Sequence, residues 1–380
     1  MALFSSGSDL LAWFGWYVLP FIVVLSAIVF FHELGHYLVG RWCGVGIDTF
    51  SLGFGPELAH RIDRQGTRWR IGALPLGGYV KFHGDANVAS VDSGAAGPGV
   101  DRRRSLAAQP VLNRAAIVAA GPVANFLLAF VIFTGMFMMF GRLEHMARIG
   151  RVEANSAAAV AGFQPGDLVK SIDGAPISSF EGLQASTLMS TGLPMNFVVV
   201  RDGKDVALTA TPLVTVVDQG VFGKRRMGHL GLASSSDPAD AQIVRCSPLT
   251  CAGWGAGQVW FIVKASTAYV VGLFAGRESA DQVSGLIGAA QMAGEMAKIS
   301  LWDLFSLAAW FSVSVGFMNL LPIPLLDGGH LVFYACEAVL GRPVSERMQE
   351  IGLRIGIALV ALLVVFTTSH DILRLVASSN

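Results

Sequence analysis

WYVLPFIVVLSAIVFFHELGH, residues 16–36, joins an apolar run long enough to enter a lipid bilayer to two histidines and a glutamate. On a helix, residues four positions apart lie on one face, so His32 and His36 can offer two nitrogens to one zinc ion. Glu33 lies about 100° further round the helix, where it can reach the open position of the metal and activate water. An ionisable group costs about 2.5 to 3.5 kcal/mol at the bilayer centre on insertion scales, so this cluster indicates a function.

The composition agrees with a membrane protein. Of the 380 residues, 53% are hydrophobic and 14% are charged, the net charge is zero and the mean hydropathy is +0.56. These values exclude a disordered chain and argue against a nucleic-acid partner. Four segments are apolar enough to cross a hydrocarbon core of roughly 30 Å: residues 16–39, 115–140, 301–321 and 351–368. The predicted fold class is therefore a polytopic α-helical membrane protein with four transmembrane helices.

The basic residues predict the orientation of the chain. The tail before residue 16 has no Lys or Arg, whereas the loop between the first two spans is rich in arginine, which places that loop in the cytoplasm. The long region 141–300 then lies outside.

Residues 254–275 are nearly apolar and could be counted as a fifth span. That crossing would put Asp327 on the opposite side from the histidines, so we expect an amphipathic helix on the outer membrane surface.

Asp327 is the candidate third ligand. It lies in the sequence NLLPIPLLDGGH, residues 319–330, where Pro322 and Pro324 remove backbone donors and two glycines follow the aspartate. Such irregular backbone is tolerated at membrane depth only where it lines a cavity. Catalytic zinc needs a third protein ligand and one open position, and a carboxylate is a usual choice. The alternative is a turn with Asp327 in solvent. His330 is a rival ligand, although a supporting role suits it better.

Three motifs occur in a fixed order: HELGH at 32–36, GPVANF at 121–126 and NLLPIPLLDG at 319–328. With them the chain resembles the site-2 protease family of intramembrane zinc proteases, in the branch of the bacterial regulator of sigma-E protease. The resemblance implies a zinc metalloendopeptidase with His32, His36 and Asp327 as zinc ligands and Glu33 as the catalytic general base. It also implies that substrate is positioned by a set of further residues: Asn319, Asn125, Pro322 and Pro324.

The resemblance also covers the two regions that lie between spans. Residues 46–82 resemble the family's membrane-associated β-hairpin, with an ordinary cytoplasmic β-rich loop as the alternative. Residues 161–174 and the pairing expected between 197–200 and 206–211 resemble a PDZ domain outside the membrane, whose sheet edge can accept an extended peptide. A spacer without a ligand is the alternative. Proteases of the sigma-E regulator branch carry two such domains, whereas this sequence has one signature.

These observations predict four parts: an N-terminal membrane part at 1–140, a PDZ-like domain at 141–215, an extracytoplasmic linker with surface helices at 216–300, and a C-terminal membrane part at 301–380. By resemblance, the protein is an intramembrane zinc endopeptidase of the bacterial inner membrane, with its zinc site towards the cytoplasm. Its expected partners are single-pass membrane proteins trimmed outside, such as anti-sigma factors, and remnant signal peptides. A PDZ-bearing scaffold and a metal transporter are the alternatives. Cys246 and Cys251 share the oxidising side, and their pairing is left open.

Overall fold

The computed structural model describes residues 13–84, 102–189, 193–218, 224–274 and 285–378. The chain divides into two compact units. The first comprises Met1–Thr134, Ala252–Ser266 and Ala280–Asn380, and the second comprises Gly135–Cys251 and Thr267–Ser279. Part of the predicted cytoplasmic loop, residues 85–101, lies outside the described residues.

The described residues form helices and strands in the following chain order. The helices, after a π-helical turn at Phe14–Val18, are α1 Leu19–Trp42, α2 Val111–Phe140, α3 Ala157–Val160, α4 Phe180–Met189, α5 Pro248–Phe274, α6 Leu286–Ile299, α7 Leu301–Asn319, α8 Asp327–Leu340 and α9 Glu346–Ser378. The strands are β1 Ile47–Ile62, β2 Arg68–Phe82, β3 Arg142–His145, β4 Ile149–Val152, β5 Leu168–Ile172, β6 Ala175–Pro176, β7 Met195–Arg201, β8 Lys204–Ala210, β9 Leu213–Asp218, β10 Lys224–His229, β11 Leu232–Ser234 and β12 Ala241–Val244. Short 3₁₀ turns lie at Arg102–Arg104 and Pro238–Asp240.

Four helices in the described part of the chain are long and apolar enough to cross a membrane: Phe14–Trp42, Val111–Phe140, Leu301–Asn319 and Arg347–Ser369. They coincide with the four predicted segments, which confirms these segments as apolar helices. Helix α5 is not among these four in the described part of the chain, and the expectation that residues 254–275 lie on the membrane surface stays a prediction. The side of the membrane on which each loop lies stays a prediction.

Helix α1 carries the histidine motif on its packed face. Pro20 stands in its first turn, where a missing backbone donor costs nothing. The buried residues of the helix recur every three or four positions: Phe21, Val24, Ile28, His32, Gly35, His36 and Gly40. This spacing is the apolar stripe of a helix that packs on one side, and the two histidines continue it. They therefore point into the protein and not towards lipid.

Strands β1 and β2 form an antiparallel pair, which confirms a β-hairpin in residues 46–82. The pair is folded back on itself, because Phe50 of β1 lies opposite both Trp69 and Val80 of β2. The registers give the strand segments the order 57–62, 68–72, 47–52 and 78–82. The Phe50 and Trp69 rings stack with centroids 4.2 Å apart. Segment 78–82 is thus an edge of this small sheet, and helix α1 packs beside it.

The second unit is rich in β-structure. Its largest sheet has the order β6-β5-β7-β8, and β7 pairs with β8 across Asp202 and Gly203, whose positive φ angles of 50° and 77° suit a tight hairpin turn. This confirms the predicted hairpin. Strands β11 and β12 pair with β4 and β3, so chain beyond residue 215 joins the same unit. Cys246 and Cys251 form a disulfide in this unit, which answers the question that the sequence left open.

The second unit contains an ion pair whose carboxylate is buried. Arg201 donates to both carboxylate oxygens of Asp167 at 2.7 Å, and the Asp167 side chain is only 1% exposed. Burial raises the pKa of Asp167, but the hydrogen bonds from Arg201 and from the backbone of Gln164 outweigh it and hold that pKa below its ordinary value. Phe197 and Val199 are fully buried in the same unit, and each such side chain contributes about 1.5 to 3 kcal/mol.

Between α7 and α8 the chain is not helical, as the prolines predict. The two glycines that follow Asp327 allow a close backbone approach. A Cβ on Gly328 would lie 2.2 Å from the carbonyl oxygen of Leu321, and one on Gly329 would lie 2.4 Å from that of Ile323. No side chain larger than hydrogen fits at either position. This packing turns the chain sharply and starts α8 at Asp327.

Candidate metal centre

Helices α1 and α8 bring three potential ligand atoms together. Nε2 of His32 and Nε2 of His36 lie 3.2 Å apart, and Oδ2 of Asp327 lies 3.1 Å from the first and 3.5 Å from the second. The side chains are 11%, 11% and 18% exposed, so the cluster is shielded from solvent. Residues 32, 36 and 327 are the group that the sequence predicted, now assembled from two ends of the chain.

The triangle of ligand atoms has the size that zinc requires. Ligand atoms at about 2.05 Å from zinc in tetrahedral directions lie about 3.3 Å from one another. The three observed separations bracket this value. In addition, Oδ2 of Asp327 is buried, and no hydrogen bond of acceptable geometry reaches it from the described residues. A buried carboxylate oxygen that faces two imidazole nitrogens without a donor is explained by a cation between them. The donor set of two nitrogens and one oxygen is that of catalytic zinc.

Helix α2 orients the His36 imidazole. Nδ1 of His36 lies 2.9 Å from the backbone carbonyl oxygen of Ile117. A carbonyl can only accept, so Nδ1 carries the proton and the lone pair of Nε2 is free for a metal. One turn further along α2, a Cβ on Gly121 would lie 2.3 Å from Nε2 of His36 and 2.9 Å from Cε1 of His32. Only glycine at this position lets the two rings pack against α2.

Asn125 follows on the same face of α2 and contacts the other ligand. Its side-chain amide lies 3.2 Å from Nδ1 of His32, and the residue is wholly buried. The amide oxygen has no hydrogen-bond partner within the described chain. A neutral His32 that offers Nε2 to a metal carries its proton on Nδ1 and needs an acceptor there, which the amide oxygen supplies when the amide is turned. The predicted role of Asn125 in holding substrate stays a prediction, and its observed contact is with a ligand.

A cavity of about 260 Å³ opens beside the cluster. Glu33 lines it together with the three ligand residues, and the backbone of Val80 donates a hydrogen bond to the Glu33 carboxylate. The remaining lining comes from the sheet edge, from α8, from neighbouring helices and from the non-helical residues Leu106 and Leu325; its other members are Gly78, Tyr79, Val80, Phe82, Val118, His330, Tyr334 and Leu353. His330 thus faces the cavity without belonging to the three-atom cluster. The arrangement places a carboxylate next to the open side of the candidate metal site.

The other predicted substrate-positioning residues lie outside this lining. The Asn319 side chain donates to the carbonyl oxygen of Val315 at 3.1 Å, within its own helix. Pro322 and Pro324 lie in the non-helical segment before α8. Their proposed contact with substrate stays a prediction. Sequence reasoning missed the carbonyl group of Ile117, because a backbone acceptor leaves no signature in residue identity.

Comparison with known proteins agrees with this site. The model of the family described as Peptidase family M50 matches residues 20–363. A protein of Agrobacterium fabrum named "Putative zinc metalloprotease" is 42% identical over 363 residues, which cover 95% of this chain and 96% of that protein. A protein of Rhizobium meliloti with the same description is 43% identical over 360 residues, 94% and 96% of the two chains. "Metalloprotease MmpA" of Caulobacter vibrioides is 39% identical over 378 residues, 93% and 94% of the two chains. The chain therefore belongs to peptidase family M50, the site-2 protease family, and is a zinc metalloprotease.

Proposed function

We propose that this zinc metalloprotease hydrolyses peptide bonds of membrane proteins within or next to the bilayer. The observation that carries the proposal is the triangle formed by His32, His36 and Asp327, which has the spacing of zinc ligands and takes both histidines from a helix apolar enough to cross the membrane. An ionisable cluster in such a helix is costly unless it serves a function. Glu33 in the adjoining cavity adds the group that hydrolysis needs.

Each residue of the site has a separate role in the proposed hydrolysis. His32, His36 and Asp327 would hold the zinc ion, and α2 would keep both imidazoles in the orientation that leaves Nε2 available. Bound zinc supplies Lewis acidity, which lowers the pKa of water towards about 7 and polarises a carbonyl group. The Glu33 carboxylate accepts the proton of the attacking water and passes it to the leaving amine. The buried cluster keeps bulk solvent away from these steps.

A transmembrane substrate must be unwound before it can be cut, since a helix hides each carbonyl group in a hydrogen bond with an amide four residues on. The edge segment 78–82 supports a way to hold the unwound chain. Among the described strands it pairs only with 47–52, on one side, and Gly78, Tyr79 and Val80 line the cavity. An extended substrate can add to this edge as a further strand. Asn319, Pro322 and Pro324 would fix the opposite side of the substrate.

The second unit offers a place for an extended peptide. A small pocket of about 70 Å³ lies between α4 and the chain that enters β11 and is lined by Phe180, Leu183, Gln184, Thr187 and residues 229–232. Strand β11 pairs with β4, and among the described strands no other pairs with it. We propose that this PDZ-like domain lies outside the bacterial inner membrane and binds the end of a substrate, of the class of trimmed anti-sigma factors or remnant signal peptides.

Replacement of Glu33 by Gln tests the proposed chemistry. Glu33→Gln keeps all three ligands, so we expect normal zinc content in the purified protein. Loss of the general base should reduce cleavage of a helical membrane substrate in detergent at least about 100-fold. Glu350→Gln, at an exposed position of α9, is the matched control and should cleave normally. Turnover by Glu33→Gln at the rate of the control would refute the assignment.

A further inference from the structure

Arg114 and Glu337 form a buried ion pair away from the proposed chemistry. Arg114 lies near the start of α2 and Glu337 near the end of α8, and Nη2 of the arginine is 2.5 Å from Oε1 of the glutamate. Their side chains are only 8% and 13% exposed. Nε of Arg114 donates to the carbonyl oxygen of Gln109 at 3.1 Å, and its guanidinium group lies 4.9 Å from the centre of the Tyr334 ring. The arginine is therefore fixed from three directions.

Glu337 is on the same helix face as the proposed third ligand. Asp327, His330, Tyr334 and Glu337 are spaced three, four and three residues apart, which places them along one side of α8. The first three line the cavity. The ten helical steps from Asp327 to Glu337 span about 15 Å. Whatever fixes the rotation of α8 at Glu337 also sets the direction in which Asp327 points.

Helix α2 is the common support of all three ligands. Its residues Arg114, Ile117, Gly121 and Asn125 are three, four and four apart and so share one face. Ile117 binds His36, Asn125 contacts His32, and Arg114 binds the helix that carries Asp327. At the other end of α8, Leu326 gives no side-chain cap, and the segment before it is not helical. The ion pair is thus a directional link between the Asp327 helix and the helix that orients both histidines.

We propose that Arg114 and Glu337 are positioning residues that set the rotation of α8 and so bring Oδ2 of Asp327 to ligand distance from the two histidines. A buried ion pair is a poor way to gain stability, because apolar residues of similar volume often stabilise a protein as well or better. What the ion pair adds is a contact of fixed geometry between α2 and α8. A rotation of α8 by about 20° would move an atom at the helix periphery by about 2 Å, whereas zinc–ligand distances hold within about 0.2 Å. This inference rests on the zinc site proposed above.

The experiment replaces both partners, so that no buried charge is left unpaired. Arg114→Met with Glu337→Leu is compared with Arg354→Met with Glu350→Leu, which removes an exposed ion pair whose side chains are 76% and 60% exposed. We measure thermal unfolding of the metal-free proteins, zinc affinity by chelator competition, and the visible spectrum after loading with Co²⁺. We expect the buried double variant to fold, to bind zinc at least tenfold more weakly, and to show altered cobalt bands. The control should match the wild type. A folded variant with wild-type zinc affinity and cobalt spectrum would overturn the proposal.

Two further variants keep the outcome decisive. If the buried double variant does not fold, Arg114→Lys retains the charge but loses Nε, which donates to Gln109. We expect it to fold and to bind zinc more weakly, and unchanged affinity overturns the proposal. Asp327→Asn separates this inference from the site itself. If Asp327→Asn weakens zinc binding while the Arg114 variants do not, only the positioning role is refuted. If Asp327→Asn also leaves zinc binding unchanged, the proposed metal site is refuted, and the positioning role with it.

Discussion

Gly121→Ala is the sharpest test of how the metal centre is packed. The added Cβ would lie 2.3 Å from Nε2 of His36, 2.6 Å from Cε1 of the same ring and 2.9 Å from Cε1 of His32. Ordinary contact begins at 3.4 Å, so the His36 ring or α2 must move by about 1 Å. Zinc–ligand distances tolerate only about 0.2 Å. The smallest possible side chain at this position should therefore disrupt the site without removing a ligand.

The expected loss follows from these displacements. Disturbing groups that merely orient a ligand typically costs 10- to 100-fold in metal affinity, and here the clash meets a ligand atom itself. We expect zinc affinity to fall at least about 100-fold, or about 2.7 kcal/mol. Chelator competition on the purified protein measures the affinity, and cleavage of a membrane substrate measures activity.

The control for Gly121→Ala lies on the same helix. A Cβ on Gly135 would meet nothing within 4 Å, so Gly135→Ala should leave zinc binding and cleavage unchanged. This comparison removes any general effect of alanine on the helix, because both substitutions exchange the same residue types in α2. Full zinc occupancy and activity in Gly121→Ala would show that the histidine rings do not pack against α2, and α2 would then not be the element that orients the ligands.

Other parts of the chain give three further predictions. Asp327→Asn should weaken zinc binding and abolish cleavage, whereas Asp371→Asn should do neither, because the Asp371 carboxylate accepts hydrogen bonds from the backbone amides of Gly285 and Gly288 and is not part of the three-residue cluster; equal zinc content in both variants would contradict this. The pKa of Asp167 is depressed in the folded protein, so its stabilising effect is present above an unfolded pKa of about 3.9 and is lost as the pH falls through the lower folded value. Asp167→Asn should destabilise the second unit by roughly 2 to 4 kcal/mol at neutral pH, measured by hydrogen exchange of the β7 amides, and unchanged protection would refute it. In a chain without other free cysteines, Gln65→Cys should react with an impermeant maleimide only from the cytoplasmic side and Lys204→Cys only from outside, and the reverse pattern would invert the topology.

The apolar helices were predictable because a membrane imposes a simple demand on sequence. A span needs about 20 apolar residues, and four segments meet that demand with no help from the rest of the chain. The hairpins were predictable only in part. Asp202 and Gly203 indicate the turn between β7 and β8, but the double register of Phe50 depends on bulges that no local pattern reveals. The pairing of β11 with β4 joins segments about 80 residues apart, and only the fold decides it.

The residues of the candidate metal centre were also predictable only in part. Ligand chemistry identified His32, His36 and Asp327, since zinc restricts both the residue types and their helical spacing. Arg114 and Glu337 lie 223 residues apart, and each alone resembles a charge at the end of an apolar helix whose side chain reaches water. The supporting groups of a site are common residue types in unremarkable contexts. Their role becomes visible only when the fold brings them together.

Two irregular segments beside the candidate metal centre suit the membrane substrate proposed above. An unwound substrate exposes backbone N–H and C=O groups, each of which costs several kcal/mol in hydrocarbon unless it is paired. Segment 78–82, at the edge of its sheet, lines the cavity, and Leu325, in the non-helical stretch before α8, lines the same cavity. Both bring polar backbone beside the ligands, where regular helices would offer only side chains. On the proposed function, the irregular backbone that places Asp327 would therefore also provide surroundings in which an extended peptide is stable next to the three candidate ligands.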